Sequence, residues 1–317
     1  MDPTQSFSKS AELTIPHGIT RRKWLKRASG AFGIAMAAGI YSWRIEPHWV
    51  EVVRRDLPIQ NLPEHLHDRT LVQISDLHIG PAVEDAFLEF WFRQIAEWQP
   101  DIVAFTGDFL TLQRDNSLPV SQMKRVLSQF PQGKLATIGV LGNHDYGLRW
   151  SDSAAGSQVT GIATNAGIQI LRNQVCDVEG LQFVGFDDWW GPNFGGKRVL
   201  EKVDLTRPTV TLCHNPDVVD LPIWSNYSGW ILSGHTHGGQ CRLPYLTPPK
   251  LPIDNKRYSS GEFLLSGGRR LYVNRALGHS MRVRFCVRPE VTLFRLVEAK
   301  LTELNPQNQN SLLLRAV

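Results

Sequence analysis

Several things are missing from this 317-residue sequence, and each absence removes a class of function. It has no internal repeat and no long apolar run of the kind a polytopic membrane protein needs. Its four cysteines, Cys176, Cys213, Cys241 and Cys286, stand far apart, without the paired spacing of a zinc knuckle or a redox Cys-x-x-Cys. A chain of this size can bury a core without disulfides, so buried free thiols in strands are expected. There is also little net charge, formally +4 at pH 7. Lys9, Arg21, Arg22, Lys23, Lys26 and Arg27 against Asp2 and Glu12 account for all of that excess, which leaves the chain from Tyr41 onward neutral. A broad basic surface for nucleic acid is therefore not expected. What remains, 42% hydrophobic and 20% charged residues, is the composition of an ordinary globular enzyme-sized chain.

The basic residues belong to a leader. Arg21-Arg22-Lys23-Trp24-Leu25-Lys26 precedes an uncharged stretch over 28–43 that is rich in Ala and Gly and shorter than the roughly 20 residues a spanning helix wants. This layout resembles the twin-arginine signals that bacteria use to export folded proteins. It implies the twin-arginine export machinery as a partner and a periplasmic or membrane-associated location. A short uncleaved anchor is the alternative.

Beyond the leader (1–44), Pro47, Pro58 and Pro63 mark 45–67 as a linker with a peripheral strand. A catalytic domain is expected over 68–300, and 301–317 reads as a polar tail. Within the domain, β-rich apolar runs alternate with helical patterns: a strand over 70–75, a helix over 82–98, a strand over 101–106. Further strands are expected over 135–141, 182–186, 209–213, 230–233, 261–265, 271–274 and 291–296, and helices over 120–129 and 156–166. The strand-dense last third predicts an α/β protein with a second sheet packed on the first, not a single doubly wound sheet.

The polar motifs fall just after the apolar strands, where α/β sheets present ligand sites. Ser75-Asp76-Leu77-His78 follows the first strand, Thr106-Gly107-Asp108 the second and Gly142-Asn143-His144-Asp145 the third. His214-Asn215-Pro216 and Gly234-His235-Thr236-His237 follow two later ones, so five of the ten histidines sit at strand ends. Taken singly, an Asp-x-His or a Gly-Asp is more often a turn. Together, carboxylates, an amide oxygen and imidazoles suit Mn²⁺, Fe²⁺ or Zn²⁺ better than the all-oxygen preference of Mg²⁺ or Ca²⁺.

In this order, over roughly 70–296, the five segments resemble the calcineurin-like metallophosphoesterase superfamily. The resemblance implies a two-sheet β-sandwich flanked by helices and two divalent ions, Mn²⁺ favoured over Zn²⁺ or Fe²⁺. It places one ion on Asp76, His78, Asp108 and His237, the other on Asp108, Asn143, His214 and His235, with Asp108 bridging. Thr111 stands where purple acid phosphatases carry a tyrosine. Phe109-Leu110-Thr111 and Asp145 depart from the serine/threonine protein phosphatase pattern. The leader, 234–240 and Arg288-Pro289-Glu290-Val291 look most similar to exported or membrane-associated bacterial phosphodiesterases, some linked to lipid A precursors.

The chemistry so implied is hydrolysis of a phosphoester by a water acidified between two cations, with His144 as general acid and Asp145 orienting it. Asp188 and Trp189 are the candidate substrate residues, at the rim of a pocket. His279 reads as structural. The expected substrate is a lipid-linked phosphodiester or pyrophosphate at a membrane surface. Two alternatives are a nucleotide or phosphoprotein phosphatase with the same ions, and a non-catalytic scaffold. A scaffold is free to lose ligands, and none of the pattern is missing.

Overall fold

The computed structural model describes residues 21–299. The expected polar tail over 301–317, and everything before Arg21, lie outside the described residues. The chain divides into two units between Ile40 and Tyr41. The first carries α1 (Arg21–Ile40), which starts at the arginine pair and runs through most of the uncharged stretch. No helix among the described residues is long and apolar enough to cross a membrane.

In the second unit the strands are β1 (Glu51–Ile59), β2 (Thr70–Ile74), β3 (Ile102–Thr106), β4 (Ala136–Val140), β5 (Gln169–Ile170), β6 (Gln174–Val178), β7 (Leu181–Gly185), β8 (Thr209–Leu212), β9 (Trp230–Ser233), β10 (Gly261–Leu264), β11 (Arg270–Val273) and β12 (Glu290–Glu298). They form two mixed six-stranded sheets, ordered β1-β12-β2-β3-β4-β5 and β10-β11-β9-β8-β7-β6. β2 through β5 run parallel, as do β7, β8, β9 and β11, so the carboxyl ends of each set open on one edge of its sheet. β6 and β10 close the second sheet as antiparallel edges, and β12 enters the first antiparallel to β2. The sequence does not announce β5, β6 or the short helix α5 (Gly196–Leu200). β5 has two residues, and edge strand β6 is largely uncovered.

Side-chain alternation along the strands builds three apolar layers. Leu71, Ile102 and Ala104 point toward Phe183, Leu212, Trp230 and Tyr272 of the other sheet. Val72, Ile74, Val103 and Phe105 point the other way, onto helices α2 (Asp85–Glu97), α3 (Val120–Leu127) and α4 (Ser153–Asn165). α2 buries Leu88, Phe92 and Ile95, the i, i+4, i+7 stripe of an amphipathic helix. α4 begins earlier than its pattern suggests because the Asp152 carboxylate accepts from the Ala154 and Ala155 amides and so fixes the first turn.

Polar ties cross between the sheets as well. The Gln73 amide donates to the Ser233 carbonyl at 3.0 Å, and the Tyr272 hydroxyl donates to buried Glu290 at 2.7 Å. Phe294 of β12 meets Tyr272 of β11 edge-on at 5.1 Å and is fully buried. Phe294→Ala should therefore destabilise the protein by about 3–5 kcal/mol, read from denaturant unfolding. A loss below about 1 kcal/mol would mean that the two sheets do not depend on this contact.

Candidate metal centre

Three of the five chemistry-bearing segments leave their strands through an unusual backbone. Asp76, His78, Asp108, His235 and His237 all have positive φ, between 49° and 69°, a region that costs non-glycine residues energy and is held only where surroundings demand it. The bends turn successive side chains inward to one point. Glycines make room for them. A Cβ on Gly107, itself at φ 95°, would lie 2.6 Å from His214 Nδ1, and one on Gly234 would collide with Ser75 and the Asp76 carboxylate.

Three overlapping groups result: Asp76, His78 and His237; His78, Asp108 and His144; Asp108, His214 and His235. Asp108 lies between the outer two, its Oδ2 at 3.1 Å from His214 Nε2 and 3.7 Å from His78 Nε2. Asp76 Oδ1 stands 3.3 Å from His237 Nε2 and 3.9 Å from His78 Nε2. The first sheet supplies Asp76, His78, Asp108 and Asn143, the second His214, His235 and His237. These two outer clusters of buried His and Asp are consistent with a binuclear metal centre.

The hydrogen bonds test whether these residues fit cations. His235 Nε2 donates to the Pro252 carbonyl at 2.8 Å and His214 Nδ1 to that of Thr106 at 2.8 Å. This fixes both tautomers and leaves His235 Nδ1 and His214 Nε2 facing each other at 3.1 Å. Neutral, the two are acceptors turned on one another. A cation between them, or a proton held on His214 by Asp108, reverses that repulsion. Asn143 Oδ1 is buried with no hydrogen-bond partner, as a ligand oxygen would be. His78 Nδ1 sits 2.8 Å from the Thr111 hydroxyl, the kind of support that orients a ligating imidazole.

Burial would raise the Asp108 carboxyl, but the charges of His214 and His144 outweigh it and hold it well below its usual range. Asp76 is likewise lowered against burial, by His237 and His214. Burial pushes His78 far down and His235 to about 3. His214 runs opposite, since Asp108 raises it against its own burial. Ionised carboxylates beside neutral imidazoles are the state in which such groups bind metal; His78 and His235 are held in it, and His214 would release a proton on binding.

His144 projects its ring into a cavity of about 460 Å³ beside the cluster, while its backbone amide donates to Asp108 Oδ1 at 2.9 Å. Asp145 does not reach that ring. Its carboxylate accepts from the amides of Asp108, Phe109, Leu110 and Gly142, so it braces the Asp108 loop, and the expectation that it orients His144 is corrected on that ground. Asp188 is buried off the cavity surface, one oxygen accepting from the Trp190 amide and the other without a partner; burial raises its pKa to about 7. Trp189 packs edge-on against Phe194, and its neighbour Trp190 lines the cavity, stacked on Trp150 at 4.9 Å. The sequence marks 187–190 as a rim with Asp188 and Trp189 as its substrate residues, because strand alternation cannot say which of two consecutive loop tryptophans turns inward; Trp150, which adjoins no polar motif, is missed. His279 is buried, its Nε2 on the Ala82 carbonyl at 3.0 Å.

Residues 69–239 match the family described as calcineurin-like phosphoesterase. The chain is 29% identical over 315 residues to the UDP-2,3-diacylglucosamine pyrophosphatase LpxG of Chlamydia trachomatis, covering 82% of this chain and 94% of that one. It is 30% identical to the uncharacterized metallophosphoesterase YkuE of Bacillus subtilis, covering 88% and 98%, and 29% identical to the phosphodiesterase YaeI of Escherichia coli, covering 88% and 100%. With the family match spanning more than half its length, and with two buried His/Asp clusters at the strand ends where the motifs fall, the chain belongs to the calcineurin-like phosphoesterase family and is a metal-dependent phosphoester hydrolase.

Proposed function

We propose that the chain is a phosphodiesterase or pyrophosphatase that cleaves a lipid-linked substrate at a membrane surface. The observation that carries this reading is the two-sided cavity. Its floor is Asp108, Asn143, His144, His235 and His237, and its walls include Trp150, Trp190, Pro249, Pro252 and Met281. Lys250 is the one cation among the described lining residues. A phosphomonoester dianion would profit from several cations, whereas a diester carries a single charge and a second organic group that apolar walls can hold. The printed names of LpxG and YaeI, a pyrophosphatase of a diacylated sugar nucleotide and a phosphodiesterase, support the same direction.

In this reading Asp76, His78 and His237 hold one divalent ion, Asn143, His214 and His235 the other, and Asp108 both, with Mn²⁺ favoured and Zn²⁺ or Fe²⁺ as alternatives. When bound, the ions supply Lewis-acid charge for the phosphoryl oxygens and a water acidic enough to attack near neutral pH. His144, whose ring reaches the cavity, gives the leaving oxygen its proton. Asp145 keeps the Asp108 turn in place, and Thr111 holds the His78 ring. The stacked Trp150 and Trp190 bind the apolar part of the substrate. Export through the twin-arginine route, suggested by Arg21-Arg22 and the stretch behind them, delivers the enzyme to that surface.

These outcomes are expected. Asp108→Asn loses both bound metal and activity, while His144→Ala keeps its metal, measured by elemental analysis. The latter variant slows about 100-fold or more on poor leaving groups and far less on activated aryl esters; an equal loss on both would remove His144 as the acid. With Mn²⁺ present, bis-p-nitrophenyl phosphate is hydrolysed faster than p-nitrophenyl phosphate, and Trp190→Ala raises KM for a lipid-linked diester more than for the small one. A clear preference for the monoester would reject the substrate reading. Replacing Arg21 and Arg22 with lysines leaves the protein in the cytoplasm on fractionation, since the receptor reads the guanidinium pair; unchanged export would point to another route or a simple anchor.

A further inference from the structure

Three segments of the second unit meet beside the cavity and expose apolar side chains together. In the first, following the metal-centre loop, Leu243, Tyr245 and Leu246 stand well out of the surface. In the second, Met281 and Val283 do the same. The two are stitched to each other: the Arg242 amide donates to the Phe285 carbonyl at 2.9 Å, the Phe285 amide to that of Gln240 at 2.9 Å, and the Gln240 side chain to the carbonyls of Met281 and Val283. The third segment, 41–49, docks on the second. The Arg284 amide donates to the Ser42 carbonyl at 2.9 Å, Tyr41 meets Phe285 edge-on at 6.3 Å, and buried Glu46 accepts from the amides of Cys286 and Val287. It shows Trp43, Ile45 and Trp49, each about half exposed.

Isolated exposed apolar residues are ordinary, but a set gathered from three segments bonded in series is not. Charge in these segments is also one-sided. Arg44, Arg242, Lys250 and Arg288 accompany the apolar residues, the acid within them, Glu46, is buried, and Arg282 is paired with Glu84 of a neighbouring segment. Arg44 lies over the Trp43 ring at 4.3 Å and Arg288 over Trp49 at 4.4 Å, pairing an indole with a cation as interfacial proteins do. Met281 and Lys250 also line the cavity, so the face adjoins the site at these two residues.

We propose that this face is a docking surface for an anionic phospholipid bilayer: Leu243, Tyr245, Leu246 and Met281 enter the headgroup region, the arginines meet lipid phosphates, and the cavity mouth faces the membrane. The proposal rests on the lipid-linked substrate reading, and it explains how such a substrate reaches the centre without its acyl chains crossing water. Basic residues near an anionic surface and apolar tips within it are the two attractions that hold a peripheral protein on a bilayer.

The test is hydrogen exchange of the full chain with vesicles of phosphatidylglycerol and phosphatidylcholine, against pure phosphatidylcholine. Local readout separates this face from any binding by the leader. Slowed exchange in 43–49, 241–248 and 280–286, stronger on the anionic vesicles, is expected. Combining Leu243→Asp, Tyr245→Asp and Leu246→Asp should raise the lipid concentration for half-protection of 280–286 by about tenfold or more, with hydrolysis of bis-p-nitrophenyl phosphate unchanged. Protection confined to 24–40, no protection anywhere, or protection indifferent to the triple change would overturn the proposal. A monoester preference in solution would instead sink the substrate reading and leave the vesicle result standing.

Discussion

The rest of the molecule depends on crowding two buried carboxylates and four buried imidazoles into one small volume around Asp108. Removing such groups from water is costly unless charge is compensated at close range. The protein meets that requirement with geometry. Asp108 is flanked by His214 and His78, its amide is tied to Asp145, and its other oxygen accepts the His144 amide. Five positions of the cluster, Asp76, His78, Asp108, His235 and His237, stay in left-handed backbone because sheets on both sides fix the strands from which they emerge.

That dependence explains the sandwich. A single parallel sheet offers one row of carboxyl ends, whereas here two sheets packed face to face bring two rows together. The His214 ring, from the second sheet, donates to a carbonyl at the end of β3 in the first, and the Asp76 carboxylate accepts the His235 amide across the same gap. The apolar layer of Leu71, Phe183, Tyr272 and Phe294 below holds the sheets in register. A shift of either sheet would part the two halves of the centre.

The site is polar below and apolar above, and the two halves are built differently. The floor comes from strand ends, whose positions are set by ladder hydrogen bonds. The walls come from loops over 149–150, 189–190, 241–252 and 280–283, where Trp150, Trp190, Pro249 and Met281 lie. Loops on a fixed scaffold can vary without disturbing the floor, which is how one metal-dependent chemistry serves different substrates.

By itself the sequence determined the class of protein and the chemistry of the floor. Alternating apolar strands and amphipathic helices located most elements to within a few residues, and motifs such as Gly142-Asn143-His144-Asp145 and Gly234-His235-Thr236-His237 were legible because metal-binding chemistry draws on a few residue types, here placed at strand ends. The tertiary structure alone decided what depends on contacts distant in the chain. It turned Asp145 away from His144 and onto four backbone amides, set Thr111 against His78, and chose Trp190 over Trp189 for the cavity wall. It also gathered 41–49, 241–246 and 280–286 into one exposed face. Local periodicity reports how a residue relates to its own strand or helix; which loop side chains share a surface is set by how the two sheets and their connections pack.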